Sequence, residues 1–232
     1  MISTSQKTSN ISIIVPTLNE AANLQGLRPA ASLVKELIVV DGGSTDGTID
    51  IAQDLGFRVF KETSSSGRGQ QLNTGAANAL APTLLFLHAD TRLPSDFPEA
   101  VLNCMENPEI ALGAFRLRVD RCGLLLNCIT MVANLRSRFL QLPYGDQSFC
   151  MRKEDFIKCG GFAPVPIMED FMLVKQAKKL GRIQTMPQAV TTSARRWQRL
   201  GPIRTTCINQ LIILGYYMGV APQKLASFYR KK

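Results

Sequence analysis

The alternation of short apolar runs with helix-compatible stretches constrains this chain more than any other feature. Ile11–Val15, Glu36–Val40, Arg58–Lys61 and Thr83–Leu87 are brief, rich in branched or aromatic residues, and separated by segments that read as helices, clearest over 48–55 and 70–79. Apolar runs of this length between turn residues read as buried strands. A β-α-β-α-β-α-β series builds a right-handed parallel sheet. The carboxyl ends of such strands converge on one edge, and that edge is where open α/β sheets bind ligands. Asp41 closes the second run, Asp90 follows the fourth, and Glu169-Asp170 opens an amphipathic helix predicted over 168–180. Acidic groups gathered at one edge suit a substrate made of a cation and a diphosphate.

Local signals refine the pattern. Asn19 is expected to cap the first helix, and Ser44 or Thr45 the helix over 48–55, because short polar side chains satisfy the free N–H groups of a first turn. The stretch Ser64–Gly69 reads as a flexible loop. Phe115, Leu117 and Val119 alternate with polar residues as a half-exposed strand does, so the sheet is expected to become mixed after residue 110. An apolar helix is expected over 124–140, a short strand over 148–151 and a break at Gly160-Gly161. The apolar segment 207–221, followed by Lys224, Arg230, Lys231 and Lys232, is too short to cross a bilayer, which takes ~20 apolar residues. It reads either as a core helix or as a helix lying in a membrane interface, and 124–140 is open to the same two readings.

Charge is unevenly placed. All 18 acidic residues fall within 1–170, whereas 171–232 hold 12 of the 27 Lys and Arg. An anionic partner is therefore expected near the C-terminal quarter. Nucleic acid is disfavoured because no recognition motif or interleaved aromatic series accompanies the basic residues. The cysteines at 104, 122, 128, 150, 159 and 207 include no Cys-x-x-Cys pair and read as reduced thiols. The first ten residues show no apolar leader, so a cytoplasmic protein is expected, with the inner face of the cell membrane as its place of work.

Taken in order, Val15-Pro-Thr-Leu-Asn-Glu20, Val40-Asp-Gly-Gly-Ser-Thr-Asp-Gly47, Gly67-Arg-Gly-Gln-Gln71, Leu87-His-Ala-Asp90, Met168-Glu-Asp170 and Arg195-Arg-Trp197 resemble the family-2 glycosyltransferases of GT-A fold, in particular a compact bacterial subfamily. The resemblance implies one α/β domain over 1–232 with a mostly parallel, mixed central sheet flanked by helices. Within it, 11–120 would form the nucleotide-sugar half, 121–200 the acceptor and catalytic half, and 201–232 a basic-apolar helical extension. The implied reaction is inverting transfer from a nucleotide-diphosphate sugar, with UDP favoured, to a hydroxyl acceptor.

The resemblance also assigns residues. Asp41 corresponds to the nucleobase contact, with Pro16, Thr17, Glu20 and Gly43 lining the same pocket and Arg68 near base and diphosphate. His88-Ala89-Asp90 stands where the family has Asp-x-Asp, making Asp90 the ligand for Mg or Mn and replacing the first hard anionic ligand by His88. Asp170 matches the general base, with Glu169 in support, and Arg196 is preferred over Arg195 as the cation facing the leaving diphosphate. Tyr144, Asp146, Gln147 and Trp197 are expected to contact the sugar or acceptor. The apolar and basic segments at 124–140 and 204–232 add a lipid or lipid-linked acceptor and peripheral membrane contact as expectations. Two other readings stand beside this one: a sugar-phosphate nucleotidyltransferase, which should show a Gly-rich phosphate loop after the first strand, and a non-catalytic nucleotide-sugar-binding protein at a membrane.

Overall fold

The structure, a computed structural model, describes residues 9–62, 67–121 and 123–230, the side chains of Arg196 and Arg230 excepted. Ser64–Ser66, Cys122, Lys231 and Lys232 lie outside the described residues. The elements run β1 (Ser9–Thr17), α1 (Ala21–Leu24), α2 (Arg28–Ala31), β2 (Val34–Asp41), α3 (Thr48–Asp54), β3 (Arg58–Lys61), α4 (Arg68–Asn78) and β4 (Thr83–Phe86). They continue with β5 (Thr91–Arg92), α5 (Phe97–Glu106), β6 (Ile110–Val119), α6 (Leu124–Leu140), β7 (Phe149–Arg152), α7 (Lys153–Lys158), α8 (Glu169–Leu180), β8 (Arg182–Thr192), α9 (Arg195–Leu200), α10 (Pro202–Tyr217) and α11 (Pro222–Arg230).

An 8-stranded sheet in the order β3-β2-β1-β4-β7-β6-β8-β5 carries the fold. β3, β2, β1 and β4 are mutually parallel, as the alternation predicted, and the sheet turns mixed at β7, which is antiparallel to both β4 and β6. β8 runs parallel to β6, and the two-residue β5 pairs antiparallel with its end, Thr91 opposite Thr192. These directions decide where chemistry can gather. Strands β1, β2, β4, β6 and β8 all end on one edge, and β7, running the other way, begins there, so the turn before it reaches the same edge.

Both faces of the sheet are covered. Ile11, Ile13, Val15, Val39, Leu85 and Phe115 pack on one side with Leu24, Phe97 and Val101. Ile14, Ile38, Val40, Leu84 and Met151 pack on the other with Leu72, Phe156, Leu173 and Val174. This double burial explains why the central runs read as continuously apolar. β6 alternates as expected, with Arg116 and Arg118 exposed between buried Phe115, Leu117 and Val119.

Two capping expectations are corrected. Asn19 caps nothing: it sits at φ 56, its amide donates to Ser44 Oγ at 2.8 Å and its Oδ1 accepts from Thr45 N at 2.9 Å, tying the loop after β1 to the loop after β2. Neither Ser44 nor Thr45 caps α3. Asp46 Oδ1 accepts from Thr48 N instead, at 3.1 Å, while Ser44 turns back to Asp41. Both polar clusters satisfy loop backbone across the sheet edge, a demand that no single helix pattern reveals.

The two apolar helices left open by the sequence divide between core and surface. α10 buries Thr205, Ile208 and Ile212 against Met168, Phe171 and Leu225, but Ile203, Leu211 and Leu214 are exposed. α6 buries only Ser137 and exposes Leu124, Met131, Val132 and Phe139. Among the described residues no helix is long and apolar enough to cross a membrane.

Helix α4 lies so close to the sheet that Gly75 has no room for a side chain: a Cβ there would stand 2.4 Å from Ile14 Cγ2 and 3.2 Å from Val40 Cγ2. Gly75→Val is expected to lower stability by about 2–3 kcal/mol through overpacking, read as a lower urea midpoint with unchanged slope.

Candidate functional site

A cavity of about 540 Å³ opens on the carboxyl edge and is lined by Arg68, His88, Asp90, Tyr144, Asp146, Glu169, Asp170 and Trp197 among others. The sheet explains the gathering: Asp90 follows β4, Tyr144–Asp146 precede the reversed β7, and Trp197 follows β8.

Asp170 occupies the first turn of α8. Its Oδ2 accepts from Gly145 N at 2.7 Å and its Oδ1 from Phe171 N, also at 2.7 Å. Gly145 permits this approach, since a Cβ there would lie 3.0 Å from Asp170 Oδ2. The carboxylate is thus fixed by backbone donors and by the positive end of a helix. Glu169 points elsewhere. It is 4 % exposed and takes Arg68 Nε on its Oε1 at 2.6 Å, so it anchors the arginine instead of touching Asp170. The glycine after Arg68 serves packing: a Cβ on Gly69 would meet Ala163 O at 2.9 Å and Glu169 Cβ at 3.3 Å.

His88 faces Arg68, whose terminal nitrogen lies 3.3 Å from Nε2. A guanidinium can only donate, so Nε2 accepts, and the ring proton is left on Nδ1 for the Gly145 backbone. Burial, then the neighbouring Arg68 and Arg195 charges, drive this imidazole down to about 3. Its Nε2 lone pair is therefore engaged away from any cation at Asp90.

Asp90 and Glu20 share one arginine. A single Arg195 nitrogen lies 2.8 Å from Glu20 Oε1 and 3.1 Å from Asp90 Oδ2. Burial pushes the Asp90 carboxyl up, Arg195 pulls it back, and Glu20 adds to the upward push. Arg195 reaches this point because β5 stitches the end of β8 to the residue after Asp90, with Thr91 Oγ1 3.0 Å from Thr192 Oγ1. The sequence favoured Arg196 for the cleft. Its side chain lies outside the described residues, and Arg195 is the one found there.

Asp41 is present at the edge but fully engaged. It is 1 % exposed, its Oδ2 accepts from Gly43 N and Ser44 N at 2.8 Å each, and its Oδ1 accepts from the hydroxyls of Thr17, at 3.2 Å, and Ser44. Burial raises its carboxyl, and these hydrogen bonds outweigh burial and hold it below the ordinary carboxylate value. Pro16 lines a small recess beside Arg68, His88 and Asp170. Ala89 is buried beneath the site, and Gly43, exposed at φ 102, shapes the Asp41 turn.

Gln147 departs from expectation. It is 0 % exposed, donates Nε2 to Phe115 O at 2.9 Å and receives Arg136 on its Oε1 at 3.4 Å, so it braces the turn from behind and does not face the cavity. Arg136, near the end of α6 and given no role by the sequence, also stacks on the Tyr144 ring at 3.3 Å and donates to Leu142 O at 2.9 Å. Gln71 was missed as well: its Nε2 bridges Thr17 O and Val40 O at 2.9 and 2.8 Å, locking the ends of β1 and β2. It closes the motif at 67–71 but was given no role there, although it is a polar residue on the buried face of α4.

Residues 12–165 match Glycosyl transferase family 2. The chain belongs to this family. It is 30 % identical over 196 residues to the 4,4'-diaponeurosporenoate glycosyltransferase of Staphylococcus haemolyticus, covering 73 % of this chain and 52 % of the relative. A PGL/p-HBAD biosynthesis glycosyltransferase of Mycobacterium bovis is 41 % identical over 91 residues, 35 % of this chain and 36 % of the relative. The chain thus spans between a third and about half of the length of these curated relatives. In fold it is similar to a structure of mannosyltransferase PcManGT from Pyrobaculum calidifontis in complex with GDP-Man and Mn2+, with TM-score 0.65, 20 % identity and coverage of 79 % of this chain and 56 % of the other. Glucosyl-3-phosphoglycerate synthase from Mycobacterium tuberculosis, in complex with Mn2+, UDP and glucosyl-3-phosphoglycerate, gives TM-score 0.54 at 24 % identity, covering 80 % and 70 %. The GT-A fold follows, and the family match lends the nucleotidyltransferase reading no support.

His88, the only histidine of the chain, gives a direct check on the electrostatics of the cleft. Its imidazole should remain neutral, with Nδ1 protonated, across pH 5–8 in a 15N NMR titration. Because its folded value lies below the unfolded one, near 6.5, the unfolded chain takes up a proton first, so this residue lowers stability progressively as pH falls from about 6.5 toward 3.

Proposed function

We propose that the transferase moves a sugar from a nucleotide-diphosphate donor, with UDP favoured, to a hydroxyl acceptor by one inverting displacement, with Asp170 as the general base. The placement of Asp170 carries this reading: it is a carboxylate fixed by Gly145 N and Phe171 N on the wall of a cavity that also holds Arg68 and Asp90. Attack at the anomeric carbon requires loss of the hydroxyl proton as the bond forms, and a positioned carboxylate accepts it. The bond from sugar to diphosphate breaks on the opposite face, and its electron pair leaves with the phosphate.

The residues present fit a divalent cation. Asp90 and Glu20 are hard oxygen donors that already share one cationic group, Arg195, and Mg or Mn typically takes one or two protein carboxylates and leaves its other positions to phosphate and water. Asp90 is the proposed ligand; when bound, the cation neutralises charge on the leaving diphosphate. Arg195 gives way as the donor enters, and Arg68 faces the phosphates while Glu169 holds it in place. For Asp41 to receive a nucleobase N–H, the Thr17 or Ser44 hydroxyl rotates off its Oδ1. The neighbouring structures with GDP-Man, UDP and Mn2+ support this donor chemistry.

The acceptor side is apolar. Ile167, Ile212, Ile213, Ala226 and Tyr229 wall the cavity beyond Asp170, and Trp197 stands at its flank. Such a wall suits an acceptor hydroxyl carried on an apolar body, a lipid or lipid-linked molecule, in keeping with the names of the staphylococcal and mycobacterial relatives. The exposed apolar residues of α6 and α10, together with the cationic excess of 171–232, support contact with an anionic membrane surface.

The donor is tested by thermal shift with UDP- and GDP-sugars, with and without Mn2+, because a ligand that binds only the folded state raises the melting temperature. Asp170→Asn is expected to keep the shift and lose transfer; Asp90→Ala is expected to lose the Mn-dependent part of the shift. Full turnover by Asp170→Asn rejects the base. For the membrane, cosedimentation with phosphatidylglycerol vesicles should exceed that with phosphatidylcholine vesicles and fall as salt rises.

A further inference from the structure

The carboxylates of the cleft are not equivalent. Glu169 is neutralised by Arg68, Asp90 by Arg195, and both oxygens of Asp170 take backbone N–H groups. Asp146 differs: among the described residues its Oδ1 is shielded from solvent and has no hydrogen-bond partner, yet the residue lines the same cavity. A buried carboxylate oxygen without a donor is costly, so its retention beside the base points to a ligand that supplies one. Asp146 is also held rigidly. It lies in the turn Gly145–Gln147, whose first residue donates its N–H to Asp170 and whose last is locked behind the sheet by Phe115 and Arg136.

We propose that Asp146 and Asp170 act as one proton-accepting unit: the acceptor hydroxyl lies between them, and its proton is held by the pair as the glycosidic bond forms. This rests on the hydroxyl-acceptor reading above and adds a second catalytic carboxyl group. The balance is simple. The acceptor O–H bond breaks and its proton joins a carboxylate oxygen, the new bond from oxygen to the anomeric carbon forms, and the old bond to the diphosphate breaks with its electrons leaving on phosphate.

The physical reason is repulsion. Two neighbouring carboxylates resist being ionised together, so the doubly ionised pair takes up one proton more readily than a lone carboxylate would. Burial, with Asp170 adding to it and Arg136 and Arg68 opposing it, brings the Asp146 carboxyl up to about 6. The facing charges are Arg136 from α6, Arg68 from α4 and Asp170 from α8. A base with proton affinity near the working pH transfers protons better than one far below it.

Titration of 13C-labelled aspartate carboxyls in the full chain tests the pair without any turnover. A resonance absent from Asp146→Asn should titrate near 6 and move down in Asp170→Asn. An ordinary aspartate titration, or no response to Asp170→Asn, overturns the proposal. The kinetic arm follows hydrolysis of UDP-glucose, UDP-GlcNAc and GDP-mannose with Mn2+, where water replaces the acceptor. Asp146→Asn should lower the rate ~100-fold and shift the acid limb of the pH profile downward, and Asp146→Glu should restore part of the rate. A full rate with an unmoved limb in Asp146→Asn overturns the pair. So does a loss matched by Asp146→Glu and by a lower melting temperature in both, which marks a structural residue. A wild-type protein that hydrolyses none of these donors but shows the coupled titration counts against the donor reading and leaves the pair supported.

Discussion

The ion pair between Arg68 and Glu169 joins residues 101 positions apart and holds the two parts of the cleft in register. Arg68 opens α4 beside the parallel strands; Glu169 opens α8 beside the mixed strands. Burial works against the Arg68 charge, and Glu169 and Asp170 outweigh it. Once that guanidinium is set, His88 must present a lone pair to it, and the imidazole proton goes to the turn that positions Asp170. The placement of Asp170 and the state of the only histidine thus descend from one charge pairing. Glu169 is the shielded partner, its side chain 5 % exposed against 39 % for that of Arg68, so loss of the arginine would leave a carboxylate uncompensated in a shielded place.

Much of the fold was legible because it rests on short-range pattern. The apolar runs at 11–15, 36–40, 58–61 and 83–87 became parallel strands, and Phe115, Leu117 and Val119 lay on the buried face of β6 as their alternation required. Asp90, Asp146, Glu169 and Asp170 met in one cavity because strand direction, readable from the connections, sends them to one edge. What the sequence hid were side chains whose partners are fixed only by the assembled sheet. Gln147 looked like a sugar contact and is a brace, since its amide meets Phe115 from a strand more than thirty residues away in sequence. Asn19 looked like a cap and is a tie between loops. Arg196 was preferred to its neighbour in a basic string, whereas the pairing of β5 with β8 brings Arg195 to Asp90.

Asp41 shows how a residue can match a family position while being chemically satisfied. Its carboxylate has about four acceptor sites, and two backbone amides and two hydroxyls occupy them. The hydroxyls are the adjustable partners, because they rotate without moving the chain. A carboxylate held this way is rigid in its backbone contacts and adaptable in its last hydrogen bond.

The two-residue strand β5 has an evolutionary corollary. Thr91 and Arg92 set the separation between the carboxylate at 90 and the guanidinium at 195 by pairing with Thr192 and Thr191. Inserting one residue between 90 and 91 would flip the pleat and turn the carboxylate to the opposite face of the sheet. Chain-length variation among descendants of this chain should accordingly accumulate beyond Arg92, in the turn toward α5, and spare the short stitch itself.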